Sequence, residues 1–299
     1  MQFFGGLDLG PFDFTRLALT SAAVSWGVVR LLDGAAHRWG LLSRSRRDRF
    51  GAGHIPLTGG IGLCVGALAG LLLTRPDLPP APLLLAFGLF GVGLLDDRFR
   101  FRPAPKFALQ AAVALAGALA IAPSVAMTGL VLFTILFAVN ASNYLDNMDA
   151  LLPGVALVQA LALMQVGMTP GVGATLLVWA LPGVLLQAIP PARAYLGDSG
   201  SHLVGALLAI DALGLLLPPD AVFRPRLLLP LALLFAVPIL DVSTVTLSRL
   251  RRRRPLFRGG TDHLSHRLVR LGYPVPRAVL LLVLASGVCG IASLILARS

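Results

Sequence analysis

Long apolar runs separated by short polar ones dominate the chain. Ten runs, near residues 14–32, 55–74, 78–95, 104–122, 125–142, 151–168, 171–189, 201–217, 227–247 and 277–297, carry few charged side chains. Each approaches the ~20 residues an α-helix needs to cross ~30 Å of hydrocarbon. Every backbone N–H and C=O in lipid needs an internal partner, so these runs predict helices. Pro- and Gly-rich punctuation at 74–82, 121–124 and 216–220 falls between the runs, where turns are required. The pattern predicts an all-α polytopic integral membrane protein of about ten transmembrane helices, a single embedded domain over 1–299. Its larger polar loops are expected at about 33–54, 96–106, 140–150, 190–200 and 248–276. The first run begins near Phe14 with no basic leader, so it reads as a retained helix rather than a cleaved signal peptide.

Composition supports this class. The 299 residues are 56% hydrophobic, with a mean hydropathy of +0.82. Only 13% are charged, against about a quarter in soluble domains, so a water-soluble fold could not bury this surface. Cys64 and Cys289 sit inside apolar runs and read as small hydrophobes. All 14 acidic residues are aspartate.

The net charge of +11 changes the picture through its placement. The loops after the odd-numbered runs, with Arg30, hold 20 of the 25 basic residues; Arg16, Arg75, Arg224, Arg226 and Arg298 lie on the other side. Basic loops stay in the cytoplasm, so both termini are expected to face away from it. No aromatic-lined motif accompanies the arginines, which argues for lipid headgroups and topology rather than nucleic acid.

The polar clusters at 94–106, 140–152, 195–202 and 261–268 all fall on that basic side. Asp96 and Asp97 end a run, where paired carboxylates can terminate a helix, bind a divalent cation or accept a proton. Lys106 follows, able to neutralise a phosphate or to act as an orientation signal. Asn140, Asn143, Asp146 and Asp149 recur every three residues, so neighbours share a helix side and the set wraps around about half the circumference. Magnesium takes hard oxygen ligands and one or two carboxylates, which suits such a stripe; interhelical hydrogen bonding is the plainer reading. Asp198, in YLGDSGSH, offers either metal charge or an N-cap, beside small residues that let a backbone approach a phosphate. His263 and His266 share a helical side within a basic loop; with no third ligand nearby, phosphate contact or a structural role outranks zinc. Arg249 and Arg251–Arg254 read as a topology and headgroup anchor.

Taken in order, these motifs resemble those of the polyprenyl-phosphate N-acetylhexosamine-1-phosphate transferase family. That family, of the glycosyltransferase 4 type, includes undecaprenyl-phosphate GlcNAc-1-phosphate transferases and phospho-MurNAc-pentapeptide transferases. The similarity runs from IPLTGGIG at 55–62 to DHLSHR at 262–267, about 70% of the chain. It implies transfer of a sugar-1-phosphate from a UDP-N-acetylhexosamine to polyprenyl phosphate, such as undecaprenyl phosphate, with release of UMP. It also implies a bacterial cytoplasmic membrane protein that requires magnesium, with manganese as the alternative ion, and is compatible with homo-oligomers. On that resemblance Asp198 is the metal-binding aspartate and Asn143 a neutral oxygen ligand. Asp96 and Asp97 are the paired aspartates, one of which deprotonates the lipid phosphate; Asp146 and Asp149 serve catalysis and nucleotide binding; His263 and His266 form the last histidine motif. Lys106 and Asn140 are expected to bind substrate. The chain departs from the family's DGxDG with DNMDA, placing Asn147 and Ala150 where glycines are common. HLSH in place of a triple-histidine motif favours the GlcNAc-type branch over the pentapeptide branch. A secondary transporter, using Asp211 or Asp241 as membrane carboxylates, is the competing class.

Overall fold

The computed structural model describes residues 10–43, 54–74, 78–167, 170–218, 223–255 and 260–299. Arg44, Arg46, Arg47, Arg49, Arg75 and Arg258, which entered the charge argument, lie outside the described residues. Among the described residues twelve α-helices follow in order: α1 (Pro11–Trp39), α2 (Gly59–Thr74), α3 (Pro80–Phe99), α4 (Pro103–Ile121), α5 (Val125–Leu145), α6 (Leu151–Val166), α7 (Val172–Ala188), α8 (Gly197–Leu216), α9 (Leu228–Leu234), α10 (Ala236–Arg251), α11 (Leu264–Arg270) and α12 (Val275–Arg298). Among the described residues the only β pairing is an isolated bridge between Leu42 and Pro56.

Every predicted apolar run is helical, but the runs are not equivalent. Five helices, α3, α4, α5, α8 and α12, are long and apolar enough to cross a membrane, and the α9–α10 pair makes a sixth if counted as one span. The apolar helices α2, α6 and α7 are shorter, and α1 is long but diluted by Arg16, Arg30 and Asp33. The expectation of one continuous span over 227–247 is corrected: the chain bends by 74° between α9 and α10. Pro238 has no N–H to give to the Leu234 carbonyl one turn back, so the ladder breaks there. The buried Gln159 side chain on α6 donates to that carbonyl at 3.4 Å, which lets the break persist away from water.

α8 is the axis of the bundle. Its apolar window is 89% buried, against 28% for α4, α5 and α12, which therefore present broad faces to lipid. α3 and α5 pack along α8, with α2 and α7 also in contact. Glycine permits the α3 contact: a methyl group on Gly93 would sit 2.6 Å from the Ser199 Cα, closer than packed atoms tolerate. From the far half of α8, the Asp211 carboxylate accepts from the backbone N–H groups of Gly173 (3.0 Å) and Ala174 (2.6 Å). The acidic residue that suggested transport thus caps the start of α7, whose first amides have no partner within their own helix.

The close approach at Gly93 yields a direct test. Gly93→Ala is expected to destabilise the fold by about 1–3 kcal/mol through forced separation of α3 from α8, read as a lower unfolding midpoint of purified protein in detergent. An unchanged midpoint would show that the two backbones are not this close.

Candidate active site

The polar residues at the loop ends of α3, α4, α5 and α8 form one connected group. α3 stops at Phe99 because Arg100 turns left-handed (φ 58°) and returns its N–H to the Asp96 carbonyl at 2.7 Å. Pro103 then opens α4, so Lys106 lies beside the carboxylates it follows in sequence. Lys106, the chain's single lysine, bridges Asp96 Oδ2 at 3.0 Å and Asp198 Oδ2 at 2.5 Å. The other Asp96 oxygen accepts from the Phe101 N–H at 2.7 Å. Asn143 Nδ2, from α5, donates to Asp198 Oδ1 and to Ser201 Oγ, the latter at 3.1 Å.

The neighbouring Asp97 does something different. Its Oδ1 accepts from the Asp198 N–H at 2.8 Å, and its Oδ2 accepts from the Ser199 N–H at 3.0 Å and Ser199 Oγ at 2.6 Å. It is a cap for α8 supplied by another helix, meeting orphan amides and the positive end of the helix dipole. Gly197, at φ +69°, brings the chain into that cap with a conformation L side chains rarely adopt, and a side chain there would strike the Asp97 carboxylate. Adjacent aspartates therefore divide: Asp97 is consumed in holding α8, while Asp96 joins the ionic cluster.

A second group is built on the same end of α5. His263 Nδ1 lies 2.8 Å from Asp241 Oδ2, and Asp241 Oδ1 accepts from the Leu264 N–H at 2.7 Å. The carboxylate accepts the Nδ1 hydrogen, so Nε2 is the ring nitrogen left for other work. The Tyr144 ring meets His263 edge-on at 5.8 Å, and Arg249 lies over the Tyr144 ring, also at 5.8 Å. Ser265 Oγ donates to Asn147 Oδ1 at 2.6 Å and approaches His266 Nδ1 at 3.3 Å. Asn143 thus reaches the first group while Tyr144 and Asn147 reach the second, so consecutive polar residues of α5 join both.

Several expectations change. The helix expected to carry Asn140, Asn143, Asp146 and Asp149 stops short of the last two, because α5 ends at Leu145, Asp146 is its C-cap, and Asn147 Nδ2 donates back to the Tyr144 carbonyl at 2.7 Å. Asp146 and Asp149 are half-buried in the turn that follows, and the described contacts join Asp149 to neither group. Asn140 lies one turn below Asn143, where it donates to Gln110 Oε1 at 3.2 Å and to the Leu136 carbonyl at 2.8 Å. Arg249 is not a headgroup anchor: it is 4% exposed and 3.7 Å from Asp262, which Ser248 Oγ also reaches at 3.2 Å. Gln110, His202, Asp241 and Tyr144 were not singled out for this site from the sequence. The one available signal was spacing, since Gln110 and His202 stand one turn beyond Lys106 and Asp198.

Chemically, two carboxylates, Asp96 and Asp198, meet one ammonium, a formal excess of negative charge beside helix N-terminal amides. Among the described residues no group of three or more His, Cys, Asp or Glu side chains could hold a metal by itself. Asp198, with the Asn143 amide beside it, offers hard oxygen donors, which suits an ion that completes its shell with substrate phosphates and water. The arrangement fits a membrane-embedded helical enzyme acting on phosphate esters at the bundle's loop end.

Comparison with known proteins agrees. Residues 80–215 match the sequence model of glycosyl transferase family 4. The chain is 29% identical to a decaprenyl-phosphate N-acetylglucosaminephosphotransferase of Mycobacterium leprae, over 92% of this chain and 82% of that protein. It is also 29% identical to an undecaprenyl-phosphate alpha-N-acetylglucosaminyl 1-phosphate transferase of Yersinia pestis, covering 83% and 74% of the two chains. For the Escherichia coli (strain K12) protein of the same name the identity is 27%, over 84% and 75%. By these matches the chain is similar to glycosyl transferase family 4 over residues 80–215, and to polyprenyl-phosphate N-acetylglucosamine phosphotransferases over most of its length.

Ala150, the cap residue before α6, holds φ 61° and ψ −1°. A left-handed alanine costs roughly 1–2 kcal/mol that glycine largely escapes. Ala150→Gly is therefore expected to stabilise the protein by about 1 kcal/mol, measured as a raised unfolding midpoint; a lowered one would contradict the left-handed turn.

Proposed function

We propose that this protein transfers N-acetylhexosamine-1-phosphate from a UDP-sugar to polyprenyl phosphate, releasing UMP, and so begins a lipid-linked cell-envelope polysaccharide. The observation that carries the reading is the Asp96–Lys106–Asp198–Asn143 cluster at the loop end of α5, joined there to the Asp241–His263 pair. Relatives named as N-acetylglucosamine phosphotransferases support the sugar class and the polyprenyl acceptor.

The reaction brings two anions together, so the site must cancel charge and align the attacking oxygen with the departing phosphate. Lys106 supplies fixed positive charge where the pyrophosphate meets the cluster. Asp96 stands at the ammonium as the group to take a proton from the lipid phosphate, whereas Asp97 holds the start of α8, and Asp198 with it, in place. His263, turned by Asp241, donates an Nε2–H to a phosphate oxygen as the imidazolium, with His266 beside it; their ring centroids are 5.8 Å apart. Asp146 and Asp149, in the turn after α5, are the acidic residues this reading gives to catalysis and nucleotide binding. Magnesium, or manganese in its place, would be held by Asp198 and Asn143, and its charge would stabilise the leaving phosphate.

We place the cluster on the cytoplasmic face of the bacterial inner membrane, in a bundle of about ten crossings with both termini on the far side. The polyprenyl tail then stays in hydrocarbon while the soluble nucleotide arrives from water. HLSH assigns the chain to the GlcNAc-type branch.

The test is an assay of purified protein with polyprenyl phosphate, magnesium and a panel of UDP-sugars, scoring UMP and lipid-linked product. UDP-N-acetylhexosamine is expected to turn over, and Asp198→Asn to lose about 100-fold or more in rate. Wild-type turnover in Asp198→Asn would remove that residue from metal binding. Turnover only with UDP-MurNAc-pentapeptide would move the chain to the other branch, and lipid-independent uptake into vesicles would replace the enzyme with a transporter.

A further inference from the structure

Beneath the ionic cluster lies a second set of polar side chains drawn from the same three helices. Lys106 and Gln110 are four residues apart on α4, Asp198 and His202 four apart on α8, and Asn143 and Asn140 three apart on α5. α4 and α8 begin at the loop end and α5 ends there, so each second residue sits one turn deeper, about 4.5–6 Å at 1.5 Å per residue. Lys106, Asp198 and Asn143 make the outer layer, and Gln110, His202 and Asn140 the inner one.

The inner layer is hydrogen-bonded end to end. His202 Nδ1 faces the Leu89 carbonyl at 3.2 Å, and His202 Nε2 faces Gln110 Nε2 at 2.9 Å. Gln110 Oε1 accepts from Asn140 Nδ2 at 3.2 Å, and Asn140 Nδ2 also donates to the Leu136 carbonyl at 2.8 Å. A carbonyl only accepts, so Leu89 requires the hydrogen on Nδ1 and leaves Nε2 of the neutral ring as an acceptor. Gln110 must then present its NH2 to His202 and its oxygen to Asn140. One backbone carbonyl on α3 sets the direction of every bond in the relay.

His202 is 0% and Gln110 1% exposed, so neither has water to replace a lost partner. Such a chain is satisfied in only one relative register of α3, α4, α5 and α8, because a shift of one helix breaks a buried pair. The register it selects is the one in which Lys106, Asp198 and Asn143 meet a turn above.

We propose that Gln110, His202 and Asn140 are positioning residues: they hold the helix register that brings Lys106, Asp198 and Asn143 together, and so set how well the outer layer accepts a divalent cation. This rests on the transferase reading above for the identity of that cation. None of the three is asked to touch substrate.

The experiment compares wild-type protein with His202→Leu, Gln110→Leu and Asn140→Leu, in detergent, by two measurements. One is the magnesium concentration giving half of the magnesium-induced rise in unfolding midpoint; the other is turnover against magnesium at saturating substrates. His202→Leu and Gln110→Leu are expected to need about tenfold more magnesium in both, with KM for polyprenyl phosphate unchanged. Asn140→Leu, at the half-buried end of the relay, is expected to shift the same way by about threefold, and it keeps the test open if the deeper variants do not fold. A lower midpoint with an unchanged magnesium requirement would overturn the proposal and leave the layer a stabilising element alone. Absence of turnover in the wild type, with the magnesium-induced rise intact and displaced in the variants, would sink the transferase reading and keep the positioning role. A wild type with neither turnover nor a magnesium-induced rise would overturn both.

Discussion

A carboxylate enclosed in a membrane bundle cannot fall back on water, and it is costly there unless other parts of the chain supply its partners. Three buried aspartates answer this in one way. Asp97 on α3 caps α8, Asp211 on α8 caps α7, and Asp241 on α10 caps α11. Each carboxylate accepts backbone N–H groups that a helix start cannot satisfy internally, and each bond fixes one helix against another. Apolar packing between helices in lipid is weakly specific, since lipid tails are as oily as leucine. The caps supply the specificity that packing lacks.

This arrangement explains how a site of opposite charges stands at the bundle end without collapsing. Asp97 and Asp211 are already engaged by the backbone N–H groups of helix starts, so they add structure. Asp96, Lys106 and Asp198 remain, pairing with one another through a single ammonium and sharing an excess of negative charge. A pair so arranged can exchange partners when anionic substrates and a cation arrive. The end of α5 is where this set meets the histidine loop, through Asn143, Tyr144 and Asn147. Asn147 acts as a tether, because its side-chain oxygen accepts from Ser265 while its amide closes the last turn of α5.

Several features could not be read in one dimension. The bend at Phe235 follows from Pro238, yet its tolerance depends on Gln159, far away in sequence and visible there only as one polar residue in an apolar run. Arg249 looked like its arginine neighbours because composition does not distinguish a buried guanidinium from an exposed one. Asp146 and Asp149 matched a helical repeat until the end of α5 removed the helix beneath them.

Hydropathy is a local property, and the sequence alone determined what is local: helical runs, a membrane as solvent, polar clusters between them, and through ordered motifs a family likeness. Division of labour between Asp96 and Asp97, the pairing of Asp241 with His263, and the relay beneath Asp198 were decided only by tertiary structure. Lys106 and Asp198 are 92 positions apart, as are Gln110 and His202. Which of two adjacent carboxylates stays open to chemistry depends on which helix end packs beside it, and that is a property of the assembled bundle.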